Sequence, residues 1–115
     1  MEKIIQTRSF QFALRIVKLC NYLQTPKHEF IMAKQLLRCG TSIGANVAES
    51  QNAQSRADFL AKLGIALKEA SETKYWLRLL RETGYLSEQE FDSIYPDCIE
   101  VEKLLVSIIK SAKKD

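Results

Sequence analysis

The sequence predicts an all-α protein in which residues 1–115 form a single domain, an antiparallel up-down four-helix bundle. Apolar residues recur at helical spacing along the chain, and no segment follows the two-residue period of a strand. Only 4 Gly and 2 Pro occur in 115 residues, which indicates long helices with short connections. Short connections place consecutive helices antiparallel.

The first helix is expected to begin at about Thr7 or Ser9 and to end at Leu23. Either hydroxyl side chain can accept a hydrogen bond from an unpaired amide of the first turn. Pro26 ends the helix, because its ring cannot continue the helical hydrogen-bond ladder and restricts the residue before it.

The second helix is expected over residues 28–52 and contains Gly40 and Gly44. Each glycine disfavours a helix by about 1 kcal/mol relative to alanine, yet the two share one face with Ala48. We expect the helix to continue through them, because a stripe of small residues lets a neighbouring helix approach closely.

The third helix is expected over residues 56–83. Ser55 can cap its first turn, where the carboxylate of Asp58 also suits the helix dipole. Gly84 is a natural residue to end it, since glycine adopts the left-handed conformation that follows many helices.

The fourth helix is expected from Ser87 to about Ala112. Ser87 and Glu90 have the spacing of a capping box, in which each side chain bonds the backbone amide of the other residue. Pro96 lies inside this helix and predicts a kink or a local break.

The first and fourth helices have wider apolar faces than one core requires. A bundle helix buries a stripe little more than about 100° wide. An exposed apolar patch indicates association, so we expect a homo-oligomer; the alternative is a bundle whose helices are buried more deeply. The residues are Phe10, Phe12, Ala13, Leu14, Ile16, Val17, Leu19, Cys20 and Leu23 in the first helix and Phe91, Ile94, Cys98, Ile99, Val101, Leu104, Leu105, Val106, Ile108 and Ile109 in the fourth.

The net charge of +3 is unevenly distributed. Residues 1–40 contain seven Lys or Arg and two acidic residues, whereas residues 87–115 contain four Lys and seven acidic residues. A basic first part and an acidic last part suit head-to-tail contact between subunits or an anionic partner.

The cysteines and the N-terminal residues indicate a cytoplasmic protein. Cys20, Cys39 and Cys98 are odd in number and lack the spacing of a zinc site, so we expect reduced core residues. The first residues lack the apolar run of a signal peptide. No apolar stretch is long enough to span a membrane.

The sequence offers no catalytic, cofactor or metal site, so we expect a protein that is not an enzyme and uses no cofactor. His28 is the only histidine, and its place near a helix start favours a surface or capping role over a general base. Residues 39–44 contain two glycines but lack the Gly-Lys-Ser/Thr ending of a phosphate-binding loop. The Glu-x-x-His pairs that hold metals in bundles do not occur.

The second helix carries a polar stripe at i, i+4, i+8 and i+11, formed by Arg38, Ser42, Asn46 and Glu49. Two interpretations stay open: a solvated face, which the spacing favours, or a buried or interfacial polar seam. If the second and third helices form a hairpin that turns near Gln54, Arg38 lies close to Glu69 and Glu72 and can form an ion pair there.

A basic strip on the first helix contains Arg8, Arg15, Lys18 and Tyr22. Cations in such a strip can contact phosphates, and the aromatic ring can stack on a base. A ring of copies would multiply these contacts. The alternative is an ordinary Lys/Arg surface.

Two segments carry a family resemblance. Residues 37–50 contain an R-x-x-x-S-x-x-x-N-x-x-E pattern, and residues 65–77 contain an A-x-x-E-x-x-E-T-x-x-W-L pattern. With these patterns the chain resembles, over nearly its whole length, the 23S rRNA intervening-sequence proteins, also called the four-helix bundle protein family. The residues that match the patterns are Arg38, Ser42, Asn46, Glu49, Glu69, Glu72 and Trp76, and we expect them to serve packing or an interface.

The resemblance implies a four-helix bundle that assembles as a homo-oligomeric ring of five subunits. The family is similar to the accessory variability proteins of diversity-generating retroelements, which form positively charged pentameric barrels that bind a reverse transcriptase and nucleic acid. The function expected is therefore a non-enzymatic oligomer that binds RNA or DNA through a basic face of the ring. The alternative is a protein–protein adaptor or scaffold without nucleic-acid binding.

Overall fold

The structure, a computed structural model of the chain, describes residues 2–114. These residues form four α-helices and no strand: α1 (Glu2–Gln24), α2 (Ile31–Ser50), α3 (Arg56–Glu82) and α4 (Glu88–Lys113). The molecule measures 47 × 21 × 19 Å, the proportions of long helices that lie side by side. Within the described range, no helix is both long enough and apolar enough to cross a membrane.

Each helix packs on two others. The contacts run from α1 to α2, from α2 to α3, from α3 to α4 and from α4 back to α1, and among residues 2–114 no Cα atoms of diagonal helices lie within 8 Å of each other. One continuous core fills the space between the four helices. Its largest fully buried side chains are Ile5, Phe12, Ile16, Leu23, Leu36, Ile43, Val47, Leu63, Leu77, Leu80, Val101 and Leu105.

The stripe of small residues on α2 is the point at which α1 comes closest. The helix continues through both glycines, as predicted. A Cβ atom on Gly40 would lie 2.8 Å from Cγ2 of Ile16, and one on Gly44 would lie 3.2 Å from the backbone oxygen of Ser9. Glycine at these positions therefore allows the close contact between α1 and α2 that the spacing predicted.

The predicted start of α1 is wrong, because the helix begins at Glu2 and neither Thr7 nor Ser9 caps it. Ile5 is buried in the core, so burial of an apolar side chain favours an extra helical turn before the expected cap. Ser9 lies inside the helix, where its hydroxyl donates a hydrogen bond to the carbonyl oxygen of Gln6 at 3.3 Å.

The second helix is shorter than predicted, because it begins at Ile31 and ends at Ser50. His28 has a φ of 56°, a left-handed conformation that interrupts a helix. The carboxylate of Glu29 then accepts a hydrogen bond from the backbone N–H of Ala33 at 2.9 Å. This bond satisfies one of the unpaired amides at the start of α2.

The predicted signals at both ends of α3 and at the start of α4 are confirmed. The side chain of Ser55 accepts from the backbone N–H of Asp58 at 3.0 Å, and Gly84 has a φ of 85°. Ser87 and Glu90 form both bonds of the capping box, at 3.0 and 2.8 Å.

The local break predicted at Pro96 does not occur. The structure describes α4 as one helix from Glu88 to Lys113. Ile94 and Cys98, on either side of the proline, are both buried. Their packing holds the helix together although Pro96 provides no N–H for a helical hydrogen bond.

Candidate assembly and nucleic-acid surfaces

An exposed apolar stripe runs along α1. Phe10, Leu14 and Val17, at i, i+4 and i+7, are 64%, 50% and 41% exposed, and we call them the α1 stripe. The same helix buries Phe12 and Ile16 in the core, so it is apolar on two of its faces. This confirms that α1 carries more apolar surface than the core of one chain buries.

The prediction that α4 also carries more apolar surface than the core of one chain buries is wrong. Ile99, Leu104, Val106 and Ile109 are half-buried, and none of the strongly exposed large apolar side chains in residues 2–114 belongs to α4. The reason is that α4 packs between α1 and α3, so both edges of its wide apolar face are partly covered within one chain.

The arginines of the basic strip on α1 face α4 and are paired with its carboxylates. Arg8 forms an ion pair with Glu100. Arg15 forms an ion pair with Asp97 at 2.5 Å and donates a hydrogen bond to the carbonyl oxygen of Ser93 at 2.9 Å. Part of the positive charge of the first helix is therefore neutralised by acidic residues of α4 in the same subunit, and these ion pairs join α1 to α4.

The other two members of the predicted strip differ from the arginines. Lys18 is exposed and forms no hydrogen bond or ion pair with residues 2–114. The ammonium group of Lys27 lies 5.6 Å from the ring centroid of Tyr22, a cation–π contact. Of the predicted strip, only Lys18 retains a cationic charge without a partner in the described chain.

The polar stripe of α2 forms a seam with α3 around Arg38. The guanidinium donates to Glu69 at 3.2 Å and also to Glu72. Glu72 in addition accepts from the indole N–H of Trp76 at 3.0 Å. The predicted ion pair of Arg38 with Glu69 and Glu72 therefore forms. The side chain of Glu69 is 12% exposed, whereas those of Arg38 and Glu49 are 52% and 60% exposed, so the stripe is a partly solvated seam and neither interpretation holds for all of it.

The remaining polar residues of the family pattern also have partners within the chain. The side-chain amide of Asn46 donates to the carbonyl oxygen and to the hydroxyl of Ser42, at 2.9 and 3.1 Å. Glu49 forms an ion pair with Lys62 of α3 at 3.5 Å. The contacts of these residues thus lie within α2 or between α2 and α3.

Unpaired cations line an open groove between α3 and α4, which we call the α3–α4 groove. Lys68 and Lys103 are both exposed there, and neither has a hydrogen bond or ion pair with residues 2–114. Sequence reasoning missed them, because they lie on different helices. The signal in the sequence that could have indicated Lys68 was a stripe of polar and aromatic residues on α3, at i, i+3, i+7 and i+10. The groove is lined by Gly64, Leu67, Lys68, Ser71, Glu102, Lys103 and Val106, and the stripe consists of Lys68, Ser71, Tyr75 and Arg78.

The three thiols are buried, as predicted for core cysteines. Burial raises the pKa of Cys20 to about 12, that of Cys98 to about 12 and that of Cys39 to about 11. A thiol reacts as a nucleophile through its thiolate, which these pKa values disfavour. Within residues 2–114, no group of three or more His, Cys, Asp or Glu side chains is placed to hold a metal ion.

Comparison with known proteins identifies a matching family and a similar solved structure. The family model described as 23S rRNA-intervening sequence protein matches residues 1–107. The crystal structure of a protein of unknown function from the S23 ribosomal protein family of Bacteroides thetaiotaomicron VPI-5482 is 53% identical and superposes with a TM-score of 0.94, over 95% of this chain and 97% of that one. No curated protein matches the chain.

Proposed function

Since this chain belongs to the 23S rRNA-intervening sequence protein family, we propose that it is a non-enzymatic homo-oligomeric helix-bundle protein that binds RNA or DNA in the cytoplasm. The observation that carries the proposal is the α1 stripe, with Phe10 64% exposed on a helix whose opposite face is already buried. Contiguous exposed apolar side chains mark an interaction surface.

The proposed arrangement of each subunit is an antiparallel up-down bundle. Its support is the order of contacting residues. Ser9 of α1 lies against Gly44 of α2, and Ile16, further along α1, lies against Gly40, earlier in α2. Residue numbers thus rise along one helix as they fall along its neighbour.

In the proposed assembly, a second copy of the chain covers the α1 stripe. Full burial of a side chain such as Phe10 or Leu14 stabilises a contact by about 1.5–3 kcal/mol. A contact between two different faces closes into a ring when the rotation between copies permits it. The ring form and the number of five subunits come from the family resemblance.

Nucleic-acid binding is supported by cations that have no partner in the chain. Lys18, Lys68 and Lys103 are exposed and unpaired within the described residues, and a phosphate backbone supplies the opposite charge. Each copy in an oligomer would repeat these charges and raise the avidity.

The test is the solution mass of the protein, measured by light scattering alone and with bulk bacterial RNA at low and high salt. We expect an oligomer whose mass rises with RNA at low salt only, because the release of counterions from the phosphate backbone favours binding less as the salt concentration rises. An oligomer indifferent to RNA at low salt would contradict nucleic-acid binding, and a monomer would contradict the assembly.

A second candidate function is a protein adaptor, and one observation favours it. Arg8 and Arg15 are already paired with carboxylates of α4, so the face between α1 and α4 offers little free charge to a phosphate. Affinity capture from a nuclease-treated lysate distinguishes the two functions. A partner that survives nuclease and is lost in the double variant Arg15→Glu/Lys18→Glu would favour the adaptor.

A further inference from the structure

We propose that single-stranded RNA binds along the α3–α4 groove, with Lys68 and Lys103 on its phosphates and Tyr75 stacked on a base. This inference rests on the proposed binding of nucleic acid and assigns that binding to one surface of the molecule. That surface lies on the other side of α4 from the predicted strip of α1, because α4 packs between α1 and α3.

The charge of the groove is the first argument. Lys68 and Lys103 approach it from opposite walls, and neither has a carboxylate partner in residues 2–114. The groove also contains one carboxylate, Glu102, but Lys74 binds it at 2.9 Å. The groove therefore keeps two uncompensated positive charges, which an anion would neutralise.

The shape of the groove is the second argument. Gly64 lies in its wall, and a Cβ atom added there would meet nothing within 4 Å. Glycine inside a helix costs about 1 kcal/mol relative to alanine, and at this position it relieves no clash within the chain. Together with the small side chain of Ser71, it leaves room for a ligand between the two lysines.

The third argument is an exposed aromatic residue on the same stripe of α3. Tyr75 is 56% exposed and follows Lys68 by two helical turns. Its ring makes an edge contact with Trp76, at 5.2 Å between centroids, which limits its orientations. Proteins that bind single strands combine such stacking rings with cations that follow the backbone. Arg78, exposed one turn further along, extends the line of charge.

The experiment measures binding of fluorescein-labelled poly(U) to the full chain by fluorescence anisotropy across a salt series. The test variant is Lys68→Ala/Lys103→Ala. The matched control is Lys3→Ala/Lys34→Ala, which removes the same charge from exposed positions on α1 and α2. We expect about a tenfold or greater loss of affinity and a shallower salt dependence for the test variant only.

A second pair of variants tests the stacking. Tyr75→Ala is expected to weaken poly(U) binding roughly fivefold or more, whereas Tyr75→Phe keeps the ring and should bind as the native chain does. Circular dichroism of every variant checks that the helices are intact. Equal losses for Tyr75→Ala and Tyr75→Phe would overturn the stacking role.

The outcomes separate this inference from the proposed function. If native protein binds none of poly(U), poly(dT) and bulk bacterial RNA at low salt, nucleic-acid binding fails and the groove assignment fails with it. If native protein binds bulk RNA but not poly(U), the assignment of single-stranded RNA to the groove alone is wrong. If native protein binds but the control pair loses as much affinity as the groove pair, the groove assignment alone is wrong. Tighter binding of poly(dT) than of poly(U) would overturn the assignment of RNA as the ligand.

Discussion

At the residue scale, two helical glycines have opposite surroundings. A Cβ atom on Gly40 would lie 2.8 Å from Ile16, which is fully buried, whereas one on Gly64 would meet open space. We expect Gly40→Ala to lower the free energy of unfolding by about 1–3 kcal/mol. Gly64→Ala should raise it by up to about 1 kcal/mol. Urea unfolding measures both, and a Gly40→Ala variant as stable as the native chain would refute the close contact between α1 and α2.

The thiols give a second prediction at this scale. With pKa values of about 12 for Cys20 and Cys98 and about 11 for Cys39, almost no thiolate exists in the folded state near neutral pH. We expect Ellman's reagent to leave native protein unlabelled on the timescale of its reaction with a free thiol. All three cysteines should react once urea unfolds the chain. Rapid labelling of any one of them before unfolding would show that it is accessible.

Sequence reasoning works at this scale where local pattern decides the outcome. Burial of the cysteines and the small-residue role of Gly40 were both predicted, since each follows from helical spacing. The role of Glu29 was not predicted, because its hydrogen bond with the backbone N–H of Ala33 depends on the left-handed turn at His28. Nothing in the local sequence requires that turn.

At the element scale, Arg38 joins α2 to α3 by contacting two carboxylates. Removing the guanidinium leaves Glu69, with its side chain 12% exposed, without its partner. We expect Arg38→Ala to lower the free energy of unfolding by about 1–2 kcal/mol. The matched control is Lys62→Ala, which removes a 3.5 Å pair with the exposed Glu49 and should cost at most about 0.5 kcal/mol. Equal effects would show that the Arg38 cluster is an ordinary surface pair.

The capping box of α4 predicts a pH dependence. The backbone N–H of Ser87 donates to the Glu90 carboxylate and lowers the pKa of that group. A lowered folded pKa means that the stabilisation is present above the unfolded pKa and is lost as the pH falls through the folded value.

Unfolding of native protein and Glu90→Gln, measured from neutral to acid pH, tests this dependence. Glutamine can accept the same bond but does not titrate. We expect the stability advantage of the native chain over the variant to shrink as the pH falls. An advantage that is constant with pH would contradict the assigned bond.

Element ends with a cap were predictable, and ends set by tertiary packing were not. Ser55, Gly84 and the capping box carry their own local hydrogen bonds or backbone preference. The early start of α1 depends instead on Ile5 reaching the core. The degree of burial along α4 depends on its two neighbours, which the width of an apolar face does not reveal.

For the whole molecule, the all-α fold class and the family patterns could be predicted from the sequence, whereas the cations that have no partner in the chain could not. The sequence strip on α1 is basic, but two of its cations meet acids of α4 once the helices are side by side. The unpaired lysines of the α3–α4 groove come from positions 68 and 103, and only the fold brings these together. A charge is free or paired according to which helices are neighbours, and this decides which surface can attract an anion.

The prediction for the whole molecule concerns its assembly through the α1 stripe. Leu14→Glu places a carboxylate in the centre of the stripe, where burial against a second copy would leave it without water or a partner. The matched control is Ile65→Glu, which alters an exposed apolar residue of α3 that is 44% exposed, outside the stripe. Neither side chain belongs to the buried core, so both variants should remain folded.

Assembly through the α1 stripe is therefore tested by the solution mass of the native chain, Leu14→Glu and Ile65→Glu, measured by light scattering at one protein concentration. We predict that the native chain and Ile65→Glu have a mass several times the 13.2 kDa of one chain. Leu14→Glu should dissociate to the monomer while it retains its helical circular dichroism. A native chain that measures as a monomer, or a Leu14→Glu variant that stays as large as the native protein, would contradict assembly through the α1 stripe.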